Sequence, residues 1–497
     1  MNRSRVVRAT RRLPYRVGVF GLLLALLGSA SCSHDPQRAA GSSSTLRVGI
    51  GALPQQTSQA GLRQLVGNLS IEGLINLTDE GRPREWLAKS WSISKDGLLV
   101  TVRLRENAKF HDGSPVSSAV VAAALRSTLP KTMGPAFADV QQIDSDDHSV
   151  QIRLKQPAPF VLEALESSIQ KPGMNGVGTG PYILTSDASS GMEAFGDYYL
   201  GRPTVDKLTV TPYPSVRAAW AELLRGNLDM LYEVGIDALD FMRSANTVAV
   251  VSFVRHYQYI IIFGPHVRGL ESAEVRRELN AAVDRNVLVR EAFGTHGVPS
   301  TGPISARHWA LDESVPKLRF DAHIAKNLST RHLRFTCLVP PDSLYERVAL
   351  ETQRQLSTLS VDMKLQEASQ EQIIEAVREG TFDAALLDTV SGPSMFRLYQ
   401  RWHTGGPFNP RSSNSRRIDD ALDRIRHAAS EDEYRAGVTG FQQAIVDDPP
   451  ALFLAWGERA RAVSRRFVVP VQQDGRDVLA TLRLWRPATV QQLASRN

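Results

Sequence analysis

Two short stretches hold the side chains best suited to chemistry. In "MFRLYQRWHTGG" (395–406), Arg397, Arg401, Trp402 and His403 crowd into one segment. A desolvated guanidinium grips a carboxylate or phosphate through two parallel bonds, and an indole offers a flat face to a planar or apolar group, so this is binding chemistry. In "GSASCSHDPQ" (28–37), Cys32 follows a run of small residues, where a thiol suits attachment of a lipid rather than catalysis. Enzymatic motifs are missing: no H-E-x-x-H, G-x-S-x-G or C-x-x-C occurs, and the eleven histidines are scattered singly. No catalytic residue, metal site or cofactor is therefore expected.

The segment before Cys32 carries Arg3, Arg5, Arg8, Arg11, Arg12 and Arg16 without an acid, then an apolar stretch (17–27) too short to span a bilayer as a stable helix. Residues 1–31 read as a signal peptide, Cys32 as the lipidation site, and the small polar residues of 32–45 as a flexible tether. The alternative is an ordinary secretory signal with an incidental cysteine; both readings put the chain outside the cytoplasm. The formal charge of +6 comes from those six arginines, and beyond residue 31 the 52 basic residues balance 52 acids. No basic excess remains for a phosphate backbone, so nucleic acid is not an expected partner. The other cysteine, Cys337 in "LRFTCLVP", reads as a buried free thiol in a strand.

The remaining length calls for more than one compact body, and alternating helical and strand patterns call for α/β lobes. "LLVTVRLRENAKFHDGSPV" (98–116) alternates Val100, Val102 and Leu104 with polar residues, then turns at Asp112-Gly113 before a helix capped by Ser117. His111 reads as a packing residue at that turn. "GVGTGPYIL" (176–184) is glycine-rich, but Pro181 and a strand follow where a phosphate loop needs a helix N-terminus. Helix then strand recurs over 345–368 and 371–388, and further helices are expected over 215–226, 273–293, 417–428 and 432–448.

"IEGLI" (71–75), "LAKSWSISKDGLLVTVRLRENAKFHDGSPV" (87–116), "GTGPYIL" (178–184), "YYLGRPTVDKL" (198–208), "AAWAELLRGNLDM" (218–230), "VRRELNAAVDRNVLVREAFG" (275–294) and "GPIS" (302–305) stand in an order that resembles family 5 of the extracytoplasmic solute-binding proteins of ABC importers, the oligopeptide, dipeptide and nickel-binding group. The resemblance implies an α/β, two-lobe, periplasmic-binding-protein-like fold of type II, in the large cluster with an extra subdomain in lobe I, and a hinge of two crossing strands. Lobe I would take 46–262, with the extra subdomain at about 75–175, and return for 463–497. Lobe II would take 263–462. The crossings would be "HYQYIIIFG" (256–264) and "ALFLAWGERARAV" (451–463).

It also implies ligand contacts. Glu72 and Asn175 stand beside family motifs, Tyr257 and Tyr259 belong to the first crossing, and 395–406 lines the cleft in the family. Peptide-binding members carry an acid after the strand matching "FDAALLD" (382–388); here Gly392 is near its place, and Asp388 is the substitute candidate. The implied function is lipid-anchored capture of a peptide or peptide-like solute and its delivery to an ABC permease and its ATPase, by a monomer held to the membrane through its lipid. The alternative is the same fold used as a scaffold or regulator at the cell envelope, without transport.

Overall fold

The computed structural model describes residues 44–52, 58–185, 191–390, 392–410, 414–470 and 477–489, all within one compact unit spanning 43–497. Cys32, the signal segment 1–31 and nearly all of the tether lie outside the described residues. At the start of the described chain, the Ser44 N–H donates to Asp206 at 3.0 Å and a strand, Thr45–Gly51, begins at the next residue.

The backbone is an 11-stranded mixed sheet that two long strands cross together. Val248–Phe263 and Ala451–Ser464 pair antiparallel from Val248↔Ser464 to Ile262↔Ala451. Beside the first part of this pair the sheet continues through Met230–Leu231, Thr45–Gly51, Lys207–Tyr213, Gly191–Ala194 and Tyr182–Leu184. Beside the second part it continues through Ala384–Val390, Arg334–Val339 and Asp362–Glu367. Two lobes thus share one pair of strands. The register shifts between Val254 and Gln258 and again between Tyr259 and Ile260, and such bulges bend a strand and increase its local twist.

A separate four-stranded antiparallel sheet, Ala88–Ile93, Leu99–Leu104, Ser149–Leu154 and Val140–Ser145 in spatial order, sits in the first lobe's sequence. The alternation seen in sequence sets its two faces: Val100 and Val102 are buried while Arg103 is exposed. Helix Ser118–Met133 covers it, with the Ser117 hydroxyl accepting from the Val120 N–H. His111 bonds the Gly180 carbonyl at 2.9 Å and sits edge-on to Phe195 at 5.2 Å; its burial lowers its pKa.

The Gly-Thr-Gly run packs against backbone, with no phosphate site. A Cβ on Gly178 would lie 2.1 Å from the Ser70 carbonyl oxygen, and one on Gly180 2.4 Å from that of Leu69. Only glycine allows this approach to the end of helix Ser58–Ser70. In the second lobe Asp342 caps helix Ser343–Ser357, and Ser369 with Gln372 forms a capping box on helix Gln370–Glu379. Cys337 is fully buried, and desolvation pushes its thiol up to about 12.

Candidate functional site

The turn after helix Ser58–Ser70 presents Glu72, whose backbone is fixed by the Ile169 N–H donating to the Glu72 carbonyl at 2.7 Å. Its carboxylate accepts from the Trp86 indole N–H at 2.8 Å and the Tyr198 hydroxyl at 2.6 Å on one oxygen, and from the Thr179 hydroxyl at 3.1 Å on the other. Desolvation pushes its pKa up to about 7, against the pull of those same bonds. Thr179 belongs to the Gly-Thr-Gly run, so the close backbone approach there is what brings the hydroxyl within reach.

Glu72 and Trp86 line a cavity of about 450 Å³ between the lobes. Asn68, Asn76 and Tyr198 add to its first-lobe wall, Phe253 of the first crossing strand adds another side, and Pro393 and Arg397 come from the second lobe. Asp477 and Arg483 reach in from the C-terminal return. Arg397 projects from helix Met395–Trp402, whose Ser394 cap accepts from the Arg397 N–H at 3.2 Å; its guanidinium meets Glu166 at 2.8 Å. A second cavity of about 350 Å³ shares Asp79 and Phe253 and has a more apolar wall that includes Ile304, Ile445 and Trp456. The "GPIS" stretch (302–305) belongs to it.

Of the nine candidate ligand contacts, Glu72 and Arg397 meet in the larger cavity. Asn175 is exposed in a turn and lines neither cavity. Tyr259 is buried beneath the second lobe, edge-on to Phe293 at 5.1 Å and Tyr345 at 5.2 Å. Tyr257 lies under the Arg459 guanidinium, 5.1 Å from its ring centroid, and Asp388, opposite Tyr259 in the sheet, is 3.7 Å from the same guanidinium. Arg459 also pairs with Glu233, just past strand Met230–Leu231, so a hinge residue joins an acid from each lobe. Gly392 has a left-handed φ of 61°, a conformation that glycine adopts at no steric cost.

The rest of the 395–406 segment holds the lobe together. Arg401 donates to the Thr389 hydroxyl at 2.5 and 3.1 Å, tying helix to strand, and burial lowers its pKa to about 10. Trp402 is buried edge-on to Phe453 at 5.8 Å. His403 stacks on Tyr399 at 4.4 Å and accepts from the Gly405 N–H at 2.9 Å. Sequence reasoning passed over Trp86, Glu166, Phe253 and Arg483; the first stands just before the quoted "LAKSW" stretch, and the others carry no local signal.

The lobes also meet along a seam apart from these two cavities. Phe160 is fully buried, with ring centroids 5.7 Å from Phe396 and 5.5 Å from Tyr399. Glu163 accepts from the Ser394 hydroxyl at 2.6 Å, the Phe396 N–H at 3.1 Å and the Tyr434 hydroxyl at 2.9 Å. Asp139 meets Arg426 at 2.6 Å; burial would raise its pKa, but bonds from His427, Arg426 and Gln156 hold it at about 2. The Arg82 guanidinium lies 3.8 Å from the Trp309 ring centroid and pairs with Glu431. These contacts hold the two lobes together along one side.

Two α/β lobes on a pair of crossing strands, with a cavity of mixed polar and apolar wall between them, define a two-lobe periplasmic-binding fold. The chain belongs to the bacterial extracellular solute-binding proteins of family 5: residues 82–409 match that family's middle region. It is 25% identical over 405 residues to the probable D,D-dipeptide-binding periplasmic protein DdpA of Escherichia coli K12, covering 74% of this chain and 78% of that protein. It is 26% identical over 322 residues to the glutathione-binding protein GsiB of the same strain, covering 59% of this chain and 61% of that one. Among solved structures, NikZ from Campylobacter jejuni in complex with Ni(L-His) aligns with a TM-score of 0.76 at 19% identity, over 90% of this chain and 100% of that one. The oligopeptide-binding protein AppA from Bacillus subtilis in complex with a nonapeptide aligns at 0.73 and 19%, over 90% and 99%. The family and these relatives are binding proteins rather than enzymes, and the family is extracellular and DdpA periplasmic. Among the described residues, no helix is long and apolar enough to cross a membrane.

Proposed function

We propose that the chain is the lipid-anchored binding component of an ABC importer, capturing a peptide or peptide-like solute between its lobes and delivering it to a permease and its ATPase. The observation that carries this reading is the cavity enclosed by Glu72, Trp86 and Arg397 from opposite lobes and Phe253 from the strand between them. A solute touching both walls binds the closed form better than the open one and shifts the population by that difference. The D,D-dipeptide and glutathione named for the two relatives support a short peptide as the solute class. Lobe I takes 46–262 and 463–497 and lobe II takes 263–462 in this reading, so that closure is rotation about the two crossing strands.

The anchor is Cys32, exposed by cleavage after residue 31 and acylated on its thiol. Confinement to the membrane face raises the binder's effective concentration at the permease. The experiment is small-angle scattering from the mature chain, unfolded and refolded to strip any solute, with and without short peptides. The expected result is a smaller radius of gyration with peptide, together with loss of peptide uptake on gene deletion. Unchanged scattering and unchanged uptake would refute the reading. The anchor has its own check: Cys32→Ala moves the protein from the membrane fraction to the soluble one.

A further inference from the structure

Every acid in the wall of the larger cavity already has a partner from the protein itself. Glu166 faces Arg397 at 2.8 Å, Asp79 faces Arg307 at 3.1 Å, and Asp477 is bonded by Arg461. Glu72 accepts from Trp86, Tyr198 and Thr179, and its burial favours the neutral acid. Asp388, the candidate to replace the acid that Gly392 displaces, is no freer. Arg459 stands between it and Glu233, so the hinge's own guanidinium already bridges an acid of each lobe.

The cations of the same wall are not evenly matched. Arg397 has Glu166, but Arg483 donates only to the Leu200 carbonyl, at 3.1 Å, with no carboxylate partner among the described residues. Its position is set by the short helix Val478–Leu484, which Asp477 caps by accepting from the Leu479 N–H at 3.2 Å. Asn68 and Asn76 also face the cavity and make no side-chain hydrogen bond among the described residues, leaving amide donors beside it.

From this asymmetry we infer that the cleft recognises its solute through a carboxylate, held by Arg483 with the neighbouring amide groups, and has no subsite for an amino group. A guanidinium without a counter-ion gains a charge-assisted, two-pronged bond when a carboxylate arrives. An incoming amine at Glu166, Asp79 or Asp477 would have to separate an existing guanidinium–carboxylate pair, leaving that guanidinium unpaired, and at Glu72 it would have to compete with the three donors already on the carboxyl group. The solute class is thus short peptides or peptide-like acids whose amino end is blocked or absent from the contact. This rests on the proposed capture of a peptide-like solute in this cavity.

The experiment uses a pool of short peptides from a protein hydrolysate in three forms: untreated, N-acetylated, and esterified at the carboxyl groups. Each is titrated against the refolded mature chain with thermal melting as the readout. The expected result is that acetylation changes the half-maximal concentration by less than about threefold, while esterification raises it at least about tenfold, since a charged bidentate contact is lost. Arg483→Ala is expected to raise it about tenfold for the untreated and acetylated pools, with Arg483→Lys recovering part of the loss. If acetylation abolishes binding while esterification leaves it intact, the inference is overturned and the solute-binding reading survives. If none of the three pools binds, the peptide reading falls and the inference with it. The esterified pool reports on the unaltered protein, so a misfolded Arg483 variant does not blur the result.

Discussion

The seam around Glu163 and the cavity around Glu72 both join the lobes, and both are built on a buried glutamate, yet they are finished differently. Glu163 takes its three donors from the opposite lobe, and Phe160 beside it packs into rings of that lobe. Glu72 takes all of its donors from its own lobe, and the space across from it is hollow. The contrast separates two tasks. The seam supplies a solute-independent part of the closing free energy, while the cavity is bridged between lobes by the partly exposed Glu166–Arg397 pair and leaves the space across from Glu72 for a ligand.

The contrast breaks most visibly at Phe160. Phe160→Ala removes a fully buried ring shared by both lobes and is expected to cost about 3–5 kcal/mol in urea unfolding, with scattering of the solute-free protein shifting toward the open form. The pH dependence of Glu72 is next. Its folded pKa, about 7, is raised above the ordinary 4.5, so the protonated acid is the form the fold favours. That contribution is fully present below about pH 4.5 and is lost as pH rises through about 7, a change of about 3 kcal/mol. Glu72→Gln is expected to flatten this part of the stability-against-pH curve; a fall of equal size in the variant would assign the effect to another group.

Glu163→Ala leaves a buried Ser394 hydroxyl, Phe396 N–H and Tyr434 hydroxyl without their acceptor, for an expected loss of about 2–3 kcal/mol in the same unfolding experiment. The smallest effect belongs to Glu166→Ala. Its pair with Arg397 is partly exposed on both sides, so stability is expected to fall by less than about 1 kcal/mol. Equal losses for Glu163→Ala and Glu166→Ala would erase the distinction between seam and cavity wall.

Much of the fold was legible because its signals are local. Period-two alternation at Val100, Val102 and Leu104, the Ser117 cap and the Gly-Thr-Gly run each act within a few residues, and the structure realises each as a strand, a cap and a close backbone approach. The site was less legible because its wall is assembled over distance. Arg397 and Arg401 stand one helical turn apart, and sequence offers no way to see that one meets Glu166 while the other is taken up by Thr389. Arg483 reaches the same cavity from near the C-terminus with no motif to mark it. Asn175 shows the converse: it stands next to a conspicuous motif in the chain, while its own turn points it to solvent.

The most direct test of a solute-filled cavity is native mass spectrometry of the mature protein isolated without denaturant from cells grown on rich medium. The account predicts a mass above that of the chain by one small acidic molecule, released on unfolding and absent from a variant whose cavity wall is altered at Trp86. A bare chain mass in every preparation, unchanged by added short peptides, would contradict it.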